Sequence, residues 1–139
     1  FLEEFEKPRD HSLAAFCVMG GVFSEGIDLK KERLIGAVIV GTGLPMVCVE
    51  QEVLRGYFEE KEEEGFDFAY QYPGMNKVLQ AAGRVIRTTE DEGIILLLDD
   101  RFLKKEYLEL FPREWEHFQV VNRGNAARCL EDFWNGRGL

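Results

Sequence analysis

Two stretches of this chain carry no polar side chain over six or seven residues: LIGAVIV at 34–40 and GIILLL at 93–98. A third, LAAFCVM, occupies 13–19. None approaches the length needed to cross a bilayer. Unbroken apolar runs suit strands of a parallel sheet covered on both faces. Between them lie stretches of helical periodicity, and strands alternating with helices imply right-handed crossovers in an α/β fold. A helix is expected over 46–64, with Val47, Val53, Leu54, Tyr57 and Phe58 as its apolar stripe, EEKEEE as a solvated end and Gly65 as its stop. Pro73 opens the next helix, a favourable place for proline. LKKEYLELF at 103–111 reads as helical and FQVV at 118–121 as a short strand. A last helix begins at Gly124 with Ala127, Leu130, Phe133 and Trp134 inward.

The chain has 139 residues, 45% of them hydrophobic and 31% charged, which is globular composition and enough for one domain over 1–139. The net charge of −9 argues against a free-standing nucleic-acid binder, because neutralising phosphate supplies most non-specific affinity. It leaves room for a domain that lends a few contacts to a larger groove. Cys17, Cys48 and Cys129 form no CxxC pair and lie among apolar residues, so they read as buried, reduced thiols of a cytoplasmic protein. His11 and His117 stand apart from any metal-ligand spacing. No secretory segment opens the sequence, and its start at Phe1 rather than Met suggests an excerpt from a longer protein.

The segment QAAGRVIR, 80–87, raises a question about charge placement. On a helix, Arg84 and Arg87 fall within roughly 40° of Gln80, with Asn76 and Lys77 on the same side. Met75, Val78, Leu79, Ala82, Val85 and Ile86 fall on the other. From periodicity alone the polar stripe is a solvated face. A second segment, GGVFSEGIDL, gives Gly21 and Gly26 the spacing of a phosphate-binding loop. The next residues are Ile27 and Asp28, where Lys and Ser or Thr are needed, so it is no such loop. GTG at 41–43 lacks the third glycine of a dinucleotide fingerprint. On its own, the loop from Ser24 to Asp28 is a turn with a helix cap. In parallel sheets ligands bind beyond the carboxyl ends of the strands, where GGVFSEGID and GTGLP fall.

Taken together and in order, GGVFSEGIDL, then GLP, then QAAGRVIRTTEDEGIILLLDDRF resemble motifs V and VI of superfamily 2 helicases of the XPD/DinG branch. The resemblance runs from about residue 13 to residue 115. It implies a RecA-like second motor domain, three-layered and N-terminally truncated, without a phosphate-binding loop of its own. In that family two RecA-like domains clamp one ATP, and the first carries the phosphate loop and the Mg²⁺-binding acidic motif. The second supplies arginine fingers. By motif position Arg84 and Arg87 look like the fingers, and Gln80 matches the polar residue that reaches the γ-phosphate or the attacking water. Gly83 keeps the surface low for the nucleotide, or else permits close helix packing. Gly26 and Asp28 match the nucleotide side of motif V, with Asp28 reading the ribose or pairing with an arginine. Ser24 and Glu25 match the side coupled to DNA, with Ser24 a candidate phosphate donor.

The resemblance also implies partners: the N-terminal RecA-like domain of the same parent and single-stranded DNA, with no membrane. Motifs I to IV are missing, as are the cysteines that hold an iron–sulfur cluster in the first motor domain of many relatives. The fragment alone is therefore expected to be inactive, and any such cluster belongs to the parent rather than to this chain. Asp99, Asp100 and Arg101 either orient the fingers or cap a loop. Tyr70, Tyr72 and Asn76 are candidates for the interdomain face, and Tyr72 either stacks a base or is a core or rim tyrosine. Lys104 and Lys105 read as solvated. Two other readings remain: a RecA-like module that binds a protein or nucleic acid without ATP, and a lone nucleotide-binding domain. Against the last stands the lack of any phosphate-cradling loop.

Overall fold

The runs at 34–40 and 93–98 do pair. In the computed structural model, which describes residues 4, 7, 10–21 and 34–136, β1 (Gly36–Val40) and β2 (Ile94–Leu98) form a parallel two-stranded sheet. Gly36 lies opposite Ile94 and Val40 opposite Leu98. Along β1 one face is the covered one: Ile39 is buried, whereas Val38 and Val40 are 62% and 70% exposed. The expectation of cover on both faces therefore fails for β1. Residues 13–19 form no strand either. Phe16 is 99% exposed, and Cys17 is exposed rather than buried. Apolar composition offers a strand but does not supply its hydrogen-bonding neighbour, and among the described residues β1 and β2 pair with each other alone.

Helix α1 spans Val49–Glu59, shorter at both ends than its sequence suggests. Its register is held by Arg55, which donates to Glu59 at 2.7 Å and lies 3.8 Å from Glu52, the i,i+4 and i,i+3 spacings of a helix surface. Glu62 then takes a positive φ of 61°. Gly65 does not stop α1; it opens the next helical segment, buried where any Cβ would collide with the Arg55 carbonyl oxygen. That segment widens into a π-helix at Asp67–Gln71 and continues as α2, Tyr72–Ala82. Tyr72 N–H reaches back five residues to the Asp67 carbonyl. Pro73 supplies the reason: it has no N–H, and its ring would crowd the carbonyl four residues earlier, so the preceding turn opens. Pro73 thus sits inside a continuous helical path rather than at its start.

The predicted apolar side of α2 is the core side, with Met75, Val78, Ala82 and Val85 buried beside Ile39, Ala69 and Tyr70. Ile86 is exposed. Aromatic rings join α1 to the π-helix: Phe58 stacks on Phe68 at 4.2 Å, and Phe68 meets Tyr72 edge-on at 5.2 Å. After β2 a 3-10 turn, Asp100–Leu103, and a four-residue helix α3, Lys105–Leu108, place Phe102 and Tyr107 in the core.

The chain divides into two compact units, Phe1–Glu109 and Leu110–Leu139. The second holds an aromatic group, with Phe111 edge-on to Trp115 and Phe118, and helix α4, Ala126–Asn135. Residues 118–121 are not a strand, and in α4 Ala126, Cys129, Phe133 and Trp134 are half-buried while Ala127 is exposed. No described helix is long and apolar enough to cross a membrane.

Candidate active site

A crossover helix must return to the edge of the sheet where its next strand begins, and α2 does so. Its 11 residues cover roughly 16 Å, the length of a five-residue strand. It starts at the carboxyl rim of the sheet, where backbone meets backbone. A Cβ on Gly74 would lie 2.7 Å from the Thr42 carbonyl oxygen, and one on Gly43 2.7 Å from that of Gly74. Gly43 also needs its glycine for a φ of +67°. The helix ends at the amino rim, where Val85 packs on Gly93 beside the Ile35 carbonyl. Gln80, Gly83, Arg84 and Arg87 therefore lie at the amino rim of β1 and β2. The rule that ligands bind beyond the carboxyl ends does not locate them.

Nor do these residues share one helical stripe. The helix stops at Ala82, with Gly83 as its C-cap. Arg84 and Val85 donate to carbonyls three residues back, those of Ala81 and Ala82 at 3.3 and 3.0 Å, and the chain then leaves the helix. Glycine and the branched residues Val85, Ile86, Thr88 and Thr89 weaken helix there. Asp91 supplies an alternative. Its Oδ2 accepts from Arg87 N–H at 3.0 Å, Thr88 N–H at 2.8 Å and the Thr88 hydroxyl at 3.1 Å. Those backbone donors are thereby satisfied outside a helix. The same bonds hold the Asp91 carboxyl below its ordinary pKa, the Thr88 and Arg87 N–H groups first.

Gln80, on the last turn of α2, and Arg87, past the turn, are exposed, and Arg84 is half-buried. Gly83 is exposed, and among the described residues a Cβ there would meet carbonyls of its own preceding turn. Ser24, Glu25, Gly26 and Asp28 lie outside the described residues.

The remaining candidates separate clearly. Asp99 caps the 3-10 turn through Arg101 N–H at 3.0 Å and grips the Arg101 guanidinium with both oxygens, at 2.8 and 2.7 Å. Arg101 holds the Asp99 carboxyl at about 2. This is a loop clamp at the carboxyl rim, the opposite rim from Arg84. Tyr70 is buried, donates to Glu52 at 2.5 Å and has its phenol pushed up to about 12 by that bond first and burial second. It ties the π-helix to α1. Tyr72 and Asn76 are exposed on the rim, as are Lys104 and Lys105. Among the described residues no group of three or more His, Cys, Asp or Glu could hold a metal ion. What the amino-rim turn offers is guanidinium charge, planar and permanent, on a backbone fixed by hydrogen bonds.

A parallel strand–helix–strand unit with a helix crossing back to an arginine-bearing turn is a RecA-like arrangement. The chain belongs to the helicase C-terminal domain family, whose model matches residues 1–118. It is similar to the regulator of telomere elongation helicase 1 homolog of Caenorhabditis elegans, 30% identical over 87% of this chain and 13% of that protein. It is also similar to the ATP-dependent DNA helicase chl1 of Schizosaccharomyces pombe, 29% identical over 99% of this chain and 18% of that protein. The ATP-dependent DNA helicase YoaA of Haemophilus influenzae is 28% identical over 79% and 17%. The chain thus spans less than a fifth of the length of these relatives.

Proposed function

We propose that residues 1–139 form the second motor domain of an ATP-dependent DNA helicase and complete an ATP site held mainly by the first RecA-like domain of the same protein. Arg84 and Arg87 act in trans as fingers on the nucleotide phosphates, and Gln80 reaches the γ-phosphate or the attacking water. Gly83 leaves the approach open. Gly26 and Asp28 serve the nucleotide side, and Ser24 and Glu25 the single-stranded DNA side. One observation carries the reading: a helicase-family chain without a phosphate-binding loop presents two arginines just past its crossover helix, at the amino rim of its sheet.

The chemistry fits that division. Phosphoryl transfer asks for charge stabilisation and alignment rather than a covalent partner, and an arginine supplied from outside the binding domain answers the first need. ATP and Mg²⁺ would supply the reacting phosphoryl group and its charge shielding; this chain's residues would neutralise the phosphate oxygens and orient the attacking water. The alternative, a binding module without ATP, predicts that neither arginine affects turnover, and the charge of −9 disfavours its nucleic-acid form. The isolated chain is expected to hydrolyse no ATP with or without single-stranded DNA, while the full-length protein shows DNA-stimulated hydrolysis. Turnover by the isolated chain, or a full-length protein without DNA-stimulated ATPase activity, would contradict the proposal.

A further inference from the structure

We propose that Asp91 is a positioning residue for Arg87: by accepting the Arg87 and Thr88 N–H groups on one carboxylate oxygen, it holds the chain that follows the helix and fixes the backbone from which the Arg87 side chain extends. This rests on the reading of Arg87 as a finger and adds to it the residue that sets the finger's base.

Three observations converge on Asp91. The α2 helix closes at Ala82, and its following turn tightens to bonds three residues long at Arg84 and Val85. Past that point Arg87 N–H is taken by a side chain, at 3.0 Å. Asp91 Oδ2 gathers Thr88 N–H and the Thr88 hydroxyl as well, at 2.8 and 3.1 Å, and Thr88 Oγ1 in turn receives Glu90 N–H at 3.3 Å. Second, the segment is short and bounded. Val85 is buried against Gly93, where any Cβ would collide with it, and Ile94 N–H bonds to the Ile35 carbonyl at 3.0 Å. The eight residues from Val85 to Glu92 therefore leave and rejoin the body of the domain at fixed points, and Asp91 closes the loop between them. Third, the carboxyl's pKa is lowered, so it is an ionised acceptor at neutral pH, and charge-assisted bonds of this kind are the strong ones.

A finger works only if its guanidinium arrives where charge develops, and a misplacement of about 1 Å can cost on the order of 10²-fold in rate. Removing the acceptor frees Arg87 and Thr88 N–H to extend the helix or to bond to water. Either outcome moves the point from which the Arg87 side chain starts. One oxygen takes all three bonds, so an amide oxygen can replace it.

The test compares Asp91→Ala, Asp91→Asn, Arg87→Ala and the Asp91→Ala/Arg87→Ala pair in the full-length protein, measuring DNA-stimulated kcat, KM for ATP and thermal stability. Asp91→Ala is expected to lower kcat by about tenfold to a hundredfold with KM for ATP within about twofold. Asp91→Asn should keep most of the rate. In the double variant Asp91→Ala should add nothing to Arg87→Ala, because a residue acting through Arg87 has no further effect once Arg87 is gone. Losses that multiply in the double variant would overturn the proposal in favour of a general folding role. So would an Asp91→Asn as slow as the alanine variant, or an Asp91→Ala as fast as wild type. If Arg87→Ala itself turns over normally, the finger reading fails and this proposal falls with it. A collapse in Arg87→Ala beside an unaffected Asp91→Ala sinks the positioning role alone.

Discussion

Asp99 uses its charge to hold the turn that follows β2. Its two oxygens close a fork on Arg101 at the end of β2, and a third bond caps the turn that follows. The carboxyl is held at about 2, below its ordinary value near 4. A depressed carboxylate pKa contributes stability that is complete above the unfolded value and is lost as pH falls through the folded one. The contribution should therefore be intact at pH 6 and disappear between about pH 4 and pH 2. Because Arg101 is 39% exposed, solvent screening leaves roughly 1 kcal/mol of it. Urea unfolding of wild type against Asp99→Asn across that range checks it. The two curves should differ at neutral pH and converge in acid; a gap that persists at pH 2 would show that the fork is not its source.

The elements meet through backbone as much as through side chains. Gly43 and Gly74 let the loop after β1 touch the first turn of α2 directly, with 2.7 Å to the opposing carbonyl for either added Cβ. Gly74→Ala is expected to cost about 2 kcal/mol or more, since neither neighbour is a side chain that can move aside. Gly43→Ala adds the strain of a positive φ. Because both methyls enter one crevice, the double variant should lose less than the sum of the two, a shortfall that a double-mutant cycle in urea would measure. Strict additivity would mean that the two glycines do not share the contact.

At this scale the sequence was legible where a signal is local. The strand runs at 34–40 and 93–98 became Gly36–Val40 and Ile94–Leu98, and the apolar side of α2 is the buried side. It was not legible where a distant residue decides. The helix ends at Ala82, Arg84 and Val85 N–H turn back three residues, and Asp91, four and three residues past Arg87 and Thr88, accepts their N–H groups. Pro73 opens a π-turn because the chain was already helical before it. Residues 13–19 and 118–121 have strand composition and, among the described residues, no strand neighbour. The rim that holds the arginines could have been inferred: a crossover helix that precedes a strand must finish at that strand's amino end.

For the whole molecule, one side of the sheet is open at Val38 and Val40, and the arginines sit on a rim that carries no phosphate loop. The chain spans less than one fifth of the length of these relatives. The central claim is that Arg84 acts on ATP bound elsewhere in the same protein. The most direct measurement is DNA-stimulated ATP turnover of the full-length protein, wild type against Arg84→Ala, with nucleotide affinity measured in parallel. A finger contributes to the transition state rather than to ground-state binding, so kcat should fall on the order of 10³-fold while nucleotide affinity changes little. Unchanged turnover would contradict the account, return Arg84 to the role of a surface turn residue and put the binding-module reading in front.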